Sequence, residues 1–133
     1  MQLSPHFSLL EATTSQTAAR KRWNNEPPEN VLENMIIAAD RLEKVRALFG
    51  GVPISVSSWY RSPQLNKAVG GAKNSSHMTG FAIDLNVTGV SVAAAVLKIK
   101  TSGIKFDQLI NEYGRWVHIS FAPALRQQVL KIG

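Results

Sequence analysis

One long segment of the sequence carries apolar residues at the spacing of an α-helix. It follows Pro27-Pro28 and ends at Gly50-Gly51, and its apolar positions are Val31, Met35, Ala38, Leu42, Val45 and Phe49. This spacing, with proline before it and glycine after it, predicts a helix of about six turns. Two shorter helices are predicted over residues 91–100 and 124–132. In the first of these, Val92, Ala95, Val96 and Ile99 are expected to face inward and Lys98 outward.

Four segments carry the short β-branched and apolar runs that are typical of strands, namely residues 52–60, 81–87, 106–111 and 116–121. A turn at Tyr113-Gly114-Arg115 separates the last two. Residues 7–11 favour a short helix or turn, and the Ser/Thr-rich stretch after them shows no period. The mixed order of helices and strands predicts an α+β fold with a central, largely antiparallel sheet packed by helices. Because no linker or repeat interrupts the chain, we expect residues 1–133 to form a single domain.

Composition excludes several classes of protein. The 133 residues are 44% hydrophobic and 18% charged, which argues against disorder and against a coiled coil. Cysteine is absent, so any metal must be held by His, Asp or Glu. No apolar run approaches the roughly 20 residues of a membrane span, and residues 1–10 lack the pattern of a secretory signal. We therefore expect no membrane insertion, and synthesis in the cytoplasm without a signal peptide.

The net charge of +6 comes entirely from the chain after residue 50, where nine basic residues meet three acidic ones. Such an excess suits a nucleic acid, an anionic membrane or cell-wall polymer, or plain solubility. Because Arg20-Lys21-Arg22 is the only basic cluster and is more simply a solvated helix face, we expect no nucleic-acid partner. Only three acidic residues, Asp84, Asp107 and Glu112, lie in this part of the chain, so their presence calls for a structural or functional explanation.

The alternation of the predicted strands brings two polar residues toward one another. Asp84 lies on the less apolar face of strand 81–87, and His118 shares a face with Trp116 and Ser120. If the two strands pair, Asp84 and His118 approach to about 5 Å, and His77 arrives from the loop before Asp84.

Two imidazoles and one carboxylate are the ligands of a catalytic zinc site. Glu112, which the Gly114 turn can fold back, is then the candidate general base. Each residue taken singly also has an ordinary structural explanation, so spacing alone leaves both interpretations open.

Six segments of the sequence resemble a known family. Residues 75–84 match Ser-x-His-x-x-Gly-x-Ala-x-Asp, a signature of the D-alanyl-D-alanine carboxypeptidase and phage endolysin family of zinc peptidases, which is related in fold to hedgehog signalling domains. Residues 58–66 resemble the family's Ser-x-Tyr-Arg-Ser-Pro-x-x-Asn element. Residues 106–110 and 116–119 resemble its closing element. Residues 7–11 and 25–32 are similar to the small single-domain branch, so the resemblance covers nearly the whole chain.

The resemblance implies one Zn²⁺ per chain, held by His77, Asp84 and His118. It implies that Glu112 takes the proton from the attacking water, and that Arg61 binds the substrate or stabilises the oxyanion. Ser75 and Gln108 are implied as contacts to the substrate or to the ligands. Many members carry Glu-x-x-His, and the position of that glutamate is Arg115 here. Asp107 therefore stays a rival base, its alternative being a structural pair with Arg115 or Lys105.

The resemblance also implies a function. It predicts a zinc metallopeptidase, either a D,D-carboxypeptidase or an endopeptidase, that hydrolyses an amide bond in the stem or cross-linking peptides of peptidoglycan. We expect a monomeric phage or prophage lytic enzyme that acts on the bacterial cell wall after phage-induced release. The alternative is a catalytically silent zinc-containing module of the same fold that binds the cell wall or a protein. Which bond is cut, and in which host, stays open at this point.

Overall fold

A five-stranded sheet forms the centre of the structure, a computed structural model that describes residues 1–133. In chain order, the elements are β1 (Gln2–Ser4), β2 (Phe7–Ser8), α1 (Leu9–Thr13), α2 (Gln16–Lys21), α3 (Glu29–Leu48), β3 (Ile54–Ser58), α4 (Pro63–Ala68), β4 (Ala82–Val87), α5 (Val92–Lys100), β5 (Gln108–Glu112), β6 (Trp116–Ser120) and β7 (Gln128–Ile132). None of these helices combines the length and apolar character needed to cross a bilayer.

The sheet has the strand order β3-β4-β6-β5-β7. Its first three pairings are antiparallel, and β7 alone pairs in parallel, with β5. Strands β1 and β2 form a separate small sheet. The prediction of an α+β fold with a largely antiparallel sheet is confirmed.

The apolar side of α3 supplies much of the core. Met35, Ala38, Leu42 and Val45 are completely buried, and they belong to the same apolar cluster as the buried sheet residues. In α5, Val92, Ala95 and Ile99 are buried, Val96 is half-buried and Lys98 is exposed. Both helices therefore agree with the apolar spacing that predicted them.

The predicted helix over residues 124–132 is wrong. That stretch turns at Leu125 (φ 43°) and Gln127 (φ 56°) and then forms β7. Left-handed backbone at two positions ends any α-helix. The Gln128 N–H donates to the Asp107 carbonyl, which starts the pairing with β5. Pairing with a strand that is distant in the sequence therefore decides the structure of this stretch, where the sequence analysis predicted a helix.

Short elements near the N-terminus were predicted only in part. Residues 7–11 were expected as a helix or turn, and the structure has β2 followed by α1. The unpatterned Ser/Thr-rich stretch contains α2. Side-chain caps start these helices: the Ser8 hydroxyl accepts from the Glu11 N–H, and the Ser15 hydroxyl accepts from the Ala18 N–H. Caps rather than apolar period define helices this short.

Candidate metal centre

Asp84 and His118 lie directly opposite each other on the antiparallel strands β4 and β6. The Asp84 Oδ1 atom is 2.9 Å from Nδ1 of His118. Asp84 is buried and His118 is half-buried. The pairing predicted from strand alternation therefore has the expected register and contact.

His77 reaches the same carboxylate from the loop that leads into β4. Its Nδ1 atom lies 2.7 Å from the backbone carbonyl of Trp59. Because a carbonyl can only accept, Nδ1 carries the proton and donates, which leaves the Nε2 lone pair free. Nε2 lies 3.3 Å from Asp84 Oδ2. The Trp59 carbonyl thus fixes the tautomer that a metal ligand requires.

The ligand atoms of His77, Asp84 and His118 all lie within 4.8 Å of one another. Two imidazole nitrogens and one carboxylate oxygen are the donor set of a catalytic zinc site that keeps a position for water or substrate. Burial opposes ionisation of Asp84, but the contacts with the His118 and His77 imidazoles outweigh burial and hold the pKa of Asp84 well below its usual range. An ionised carboxylate beside two imidazole nitrogens is a donor set that fits a divalent cation such as Zn²⁺.

Glu112 is positioned by the hairpin between β5 and β6. Tyr113 (φ 59°) and Gly114 (φ 65°) form a tight turn in which the Arg115 N–H donates to the Glu112 carbonyl. Two central residues with positive φ are typical of a type I′ turn, whose twist suits a hairpin. The turn places Glu112 Oε1 3.9 Å from His118 Nδ1. Burial, and then the charge of Asp84, raise the pKa of Glu112. The predicted fold-back toward the site is present.

Arg61 lies on the other side of Asp84, just after β3. Its guanidinium donates to Asp84 Oδ2 at 3.4 Å, to the Asn66 side-chain oxygen at 3.3 Å and to the Ser58 hydroxyl at 3.1 Å. All three hydrogen-bond partners of the Arg61 guanidinium belong to the segments that resemble the family. A fixed positive charge therefore lies beside the candidate ligands.

These groups line a cleft with a volume of about 610 Å³. Ser75 and Gln108, predicted as contacts, also line it. The Ser75 hydroxyl accepts from the His77 N–H, and the Gln108 amide donates to Gln128. The indole N–H of Trp116 is buried in the cleft wall without a hydrogen-bond partner. The structure thus brings every predicted site residue together in one cleft, while their individual roles stay predictions.

Asp107, the rival base, has a different partner from those expected. It pairs with Arg126, and neither Arg115 nor Lys105 contacts it. Hydrogen bonds from Arg126 lower the pKa of Asp107, although burial opposes them. Asp107 is buried and does not line the cleft. Its carboxylate is engaged in holding the chain before β7, so Glu112 is the candidate base that the cleft contains.

The comparison with known families agrees with this geometry. The family model described as peptidase M15 matches residues 5–120. The chain belongs to the peptidase M15 family. That match includes every candidate ligand, Glu112 and Arg61. Family membership confirms the resemblance that the sequence motifs predicted.

One relative of this M15 chain is the zinc D-Ala-D-Ala carboxypeptidase of Streptomyces albus G. It is 34% identical over 70 residues, which is 53% of this chain and 28% of the relative. The chain therefore spans less than a third of that relative's length. The family, this relative and the His77–Asp84–His118 group together confirm the prediction of Zn²⁺ as the cofactor.

Sequence reasoning missed Arg126 and Trp116 as residues of the M15 cleft. Arg126 was assigned to a helix that does not exist, which gave no reason to place it near the ligands. Trp116 was assigned to the correct face of its strand, together with His118, and this shared face was the signal that should have identified it.

Proposed function

We propose that the chain is a zinc peptidase that hydrolyses an amide bond in the peptides of bacterial peptidoglycan. The observation that carries this proposal is one buried carboxylate, Asp84, contacted by two imidazoles, with Glu112 3.9 Å from His118. The peptidase family and the name of the Streptomyces relative support a wall peptide as substrate.

The residues of the cleft have distinct tasks in this hydrolysis. Held by His77, Asp84 and His118, Zn²⁺ supplies the Lewis acidity that makes an amide carbonyl and a water molecule reactive. Glu112 takes the proton from the attacking water and passes it to the leaving amine, as a general base and then a general acid. Arg61 stabilises the negative charge that develops on the carbonyl oxygen, because its guanidinium is already fixed beside the site.

The experiment is digestion of purified sacculi followed by mass spectrometry of the soluble products. A D,D-carboxypeptidase releases free D-alanine, whereas an endopeptidase creates new amino termini inside the stem or cross-link, so the products identify the bond. The Glu112→Gln protein, loaded with one equivalent of zinc, is the matched control and should release neither. Zinc-loaded wild-type protein that releases no product would contradict the proposal and favour a silent binding module.

We also propose that the enzyme serves in phage or prophage lysis and acts at the cell wall after phage-induced release. The basic excess after residue 50 supports contact with an anionic wall polymer, and the resemblance to the small single-domain branch supports the lytic role. The test is expression inside a bacterial cell with and without a membrane-permeabilising holin. Lysis should require both the holin and Glu112; cells that lyse equally with Glu112→Gln would contradict it.

A further inference from the structure

Arg126 lines the same cleft as the candidate ligands, although it is remote from them in the sequence. Its Nε atom lies 2.9 Å from Asp107 Oδ1, and its Nη2 atom lies 2.9 Å from Oδ2. The Arg126 backbone N–H also donates to Oδ1, at 3.1 Å. Three bonds to one buried carboxylate fix both the backbone and the guanidinium plane.

The side of the guanidinium that faces away from Asp107 has donors to spare. Arginine carries five N–H donors and no acceptor, and the bonds to Asp107 use two of them. The side chain is 54% exposed, whereas that of Asp107 is 4% exposed. Arg126 contacts neither Asp84 nor Glu112, the two acids of the cleft. What it presents to the cleft is therefore a rigid set of donors that lacks an acceptor.

The position of Arg126 in the sheet suits an extended substrate. Arg61 follows β3, at one edge of the sheet, and Arg126 precedes β7, at the other edge. Asp84 and His118 lie on β4 and β6 between them. A peptide that crosses the candidate ligands from one edge toward the other therefore reaches Arg126 at some distance from the bond that is cut.

We propose that Arg126 binds a free carboxylate of the peptide substrate and so selects peptides that carry one. The inference rests on the proposed function, since it assumes a peptidoglycan peptide in the cleft. A guanidinium matches a carboxylate with two parallel N–H donors, which a lysine cannot reproduce. Asp107 is the positioning residue in this arrangement: it holds the guanidinium in place and does not touch the substrate.

The test exchanges the carboxylate for a carboxamide in the substrate and removes the guanidinium from the protein. The probes are synthetic pentapeptides L-Ala-γ-D-Glu-L-Lys-D-Ala-D-Ala, free or amidated at the D-glutamyl α-carboxylate, and a second pair, free or amidated at the C-terminus. For one of the two pairs, the wild-type enzyme should cleave the amidated peptide with a kcat/KM about ten- to a hundredfold lower than that for the free peptide. This is the usual range for the loss of a hydrogen bond to a charged group. In Arg126→Gln, the free and amidated peptides of that pair should be cleaved equally well.

The ratio of kcat/KM for the free and amidated peptides reports substrate recognition and not protein stability, because both peptides of a pair are tested on the same protein. Lys131→Gln, an exposed charge on β7 outside the cleft, is the matched control and should keep the wild-type ratio. Calorimetric binding of the same peptides to Glu112→Gln protein, with and without Arg126→Gln, should give the same ratio without turnover. Equal ratios in wild type and Arg126→Gln for both pairs would overturn the inference. Wild-type protein that neither binds nor cleaves any of the peptides would overturn the proposed function as well.

Discussion

The carboxylate of Asp84 contacts His118 through Oδ1, at 2.9 Å, and His77 through Oδ2, at 3.3 Å. One buried acid thus joins two histidines that lie 41 positions apart in the sequence. Because each oxygen faces a different imidazole, loss of this carboxylate removes the anionic member of the group and leaves the two imidazoles without a common partner.

Removal of a candidate ligand should abolish metal binding. We expect the zinc content of the His77→Ala and Asp84→Ala proteins to fall from one ion per chain to nearly none. Two protein ligands and water do not make the three-ligand site that catalytic zinc requires. Zinc content after dialysis, measured by atomic emission, checks this. His6→Ala is the control, since the His6 side chain hydrogen-bonds to Glu43 and does not line the cleft. Full zinc content in Asp84→Ala would reject the assignment.

Glu112→Gln should separate metal binding from turnover. The amide keeps the size of the side chain but cannot take a proton, so we expect kcat to fall about 10²- to 10⁴-fold with zinc content unchanged. Steady-state hydrolysis of the peptide that the sacculus digest identifies measures this. Glu26→Gln changes an exposed glutamate and should retain the wild-type rate. A near-normal rate in Glu112→Gln would require a different base.

Replacement of Arg61 should affect the rate more than the metal. Arg61→Ala removes a fixed positive charge beside the reacting carbonyl, for which a loss of about 10²- to 10³-fold in kcat is typical. Arg61→Lys keeps the charge but not the hydrogen bonds to Ser58 and Asn66, and we expect it to recover part of the loss. If Arg61→Ala raised only KM, the arginine would bind substrate without stabilising the transition state.

Gly80 should be far less tolerant of a side chain than Gly89. Both have positive φ, 84° and 75°. A Cβ at Gly80 would lie 2.6 Å from Met35 Cγ and 3.0 Å from the Val31 carbonyl, whereas a Cβ at Gly89 meets nothing. Left-handed backbone costs an alanine about 1 kcal/mol or more, and the clash adds about 1–3 kcal/mol at Gly80 only. Urea denaturation of Gly80→Ala and Gly89→Ala measures the difference, and equal losses would contradict this packing.

The pair of Asp107 with Arg126 should make stability depend on acid pH. The folded-state pKa of Asp107 is lowered, so its contribution is complete above the unfolded pKa, about 3.9, and is lost as the pH falls through the folded value. We expect Asp107→Asn to be less stable than wild type at pH 7, with the gap closing below about pH 4. Thermal unfolding between pH 2 and pH 7 measures it; a gap that stays constant would show that the charge of Asp107 has no part in stability.

The candidate metal site was predictable from the sequence because strand alternation carries information about faces. Asp84 and His118 occupy the polar positions of two short strands, and pairing the strands was enough to bring them together. The Trp59 carbonyl that orients His77 was not predictable, because every residue has a carbonyl and no side chain marks this one. Strand β7 was missed for a related reason: its partner, β5, is separated from it in the sequence by β6, so no residue near β7 marks the pairing.

The segment after β3 and the loop that carries His77 hold each other by a reciprocal pair of hydrogen bonds. His77 Nδ1 donates to the Trp59 carbonyl, and the Arg61 N–H donates to the His77 carbonyl, at 3.1 Å. Separation of the two segments therefore breaks both hydrogen bonds, and we expect a metal on Nε2 of His77 to make that opening rarer. Metal occupancy should consequently be readable from the rate at which the Arg61 amide exchanges its hydrogen for deuterium, at a backbone position that supplies no ligand.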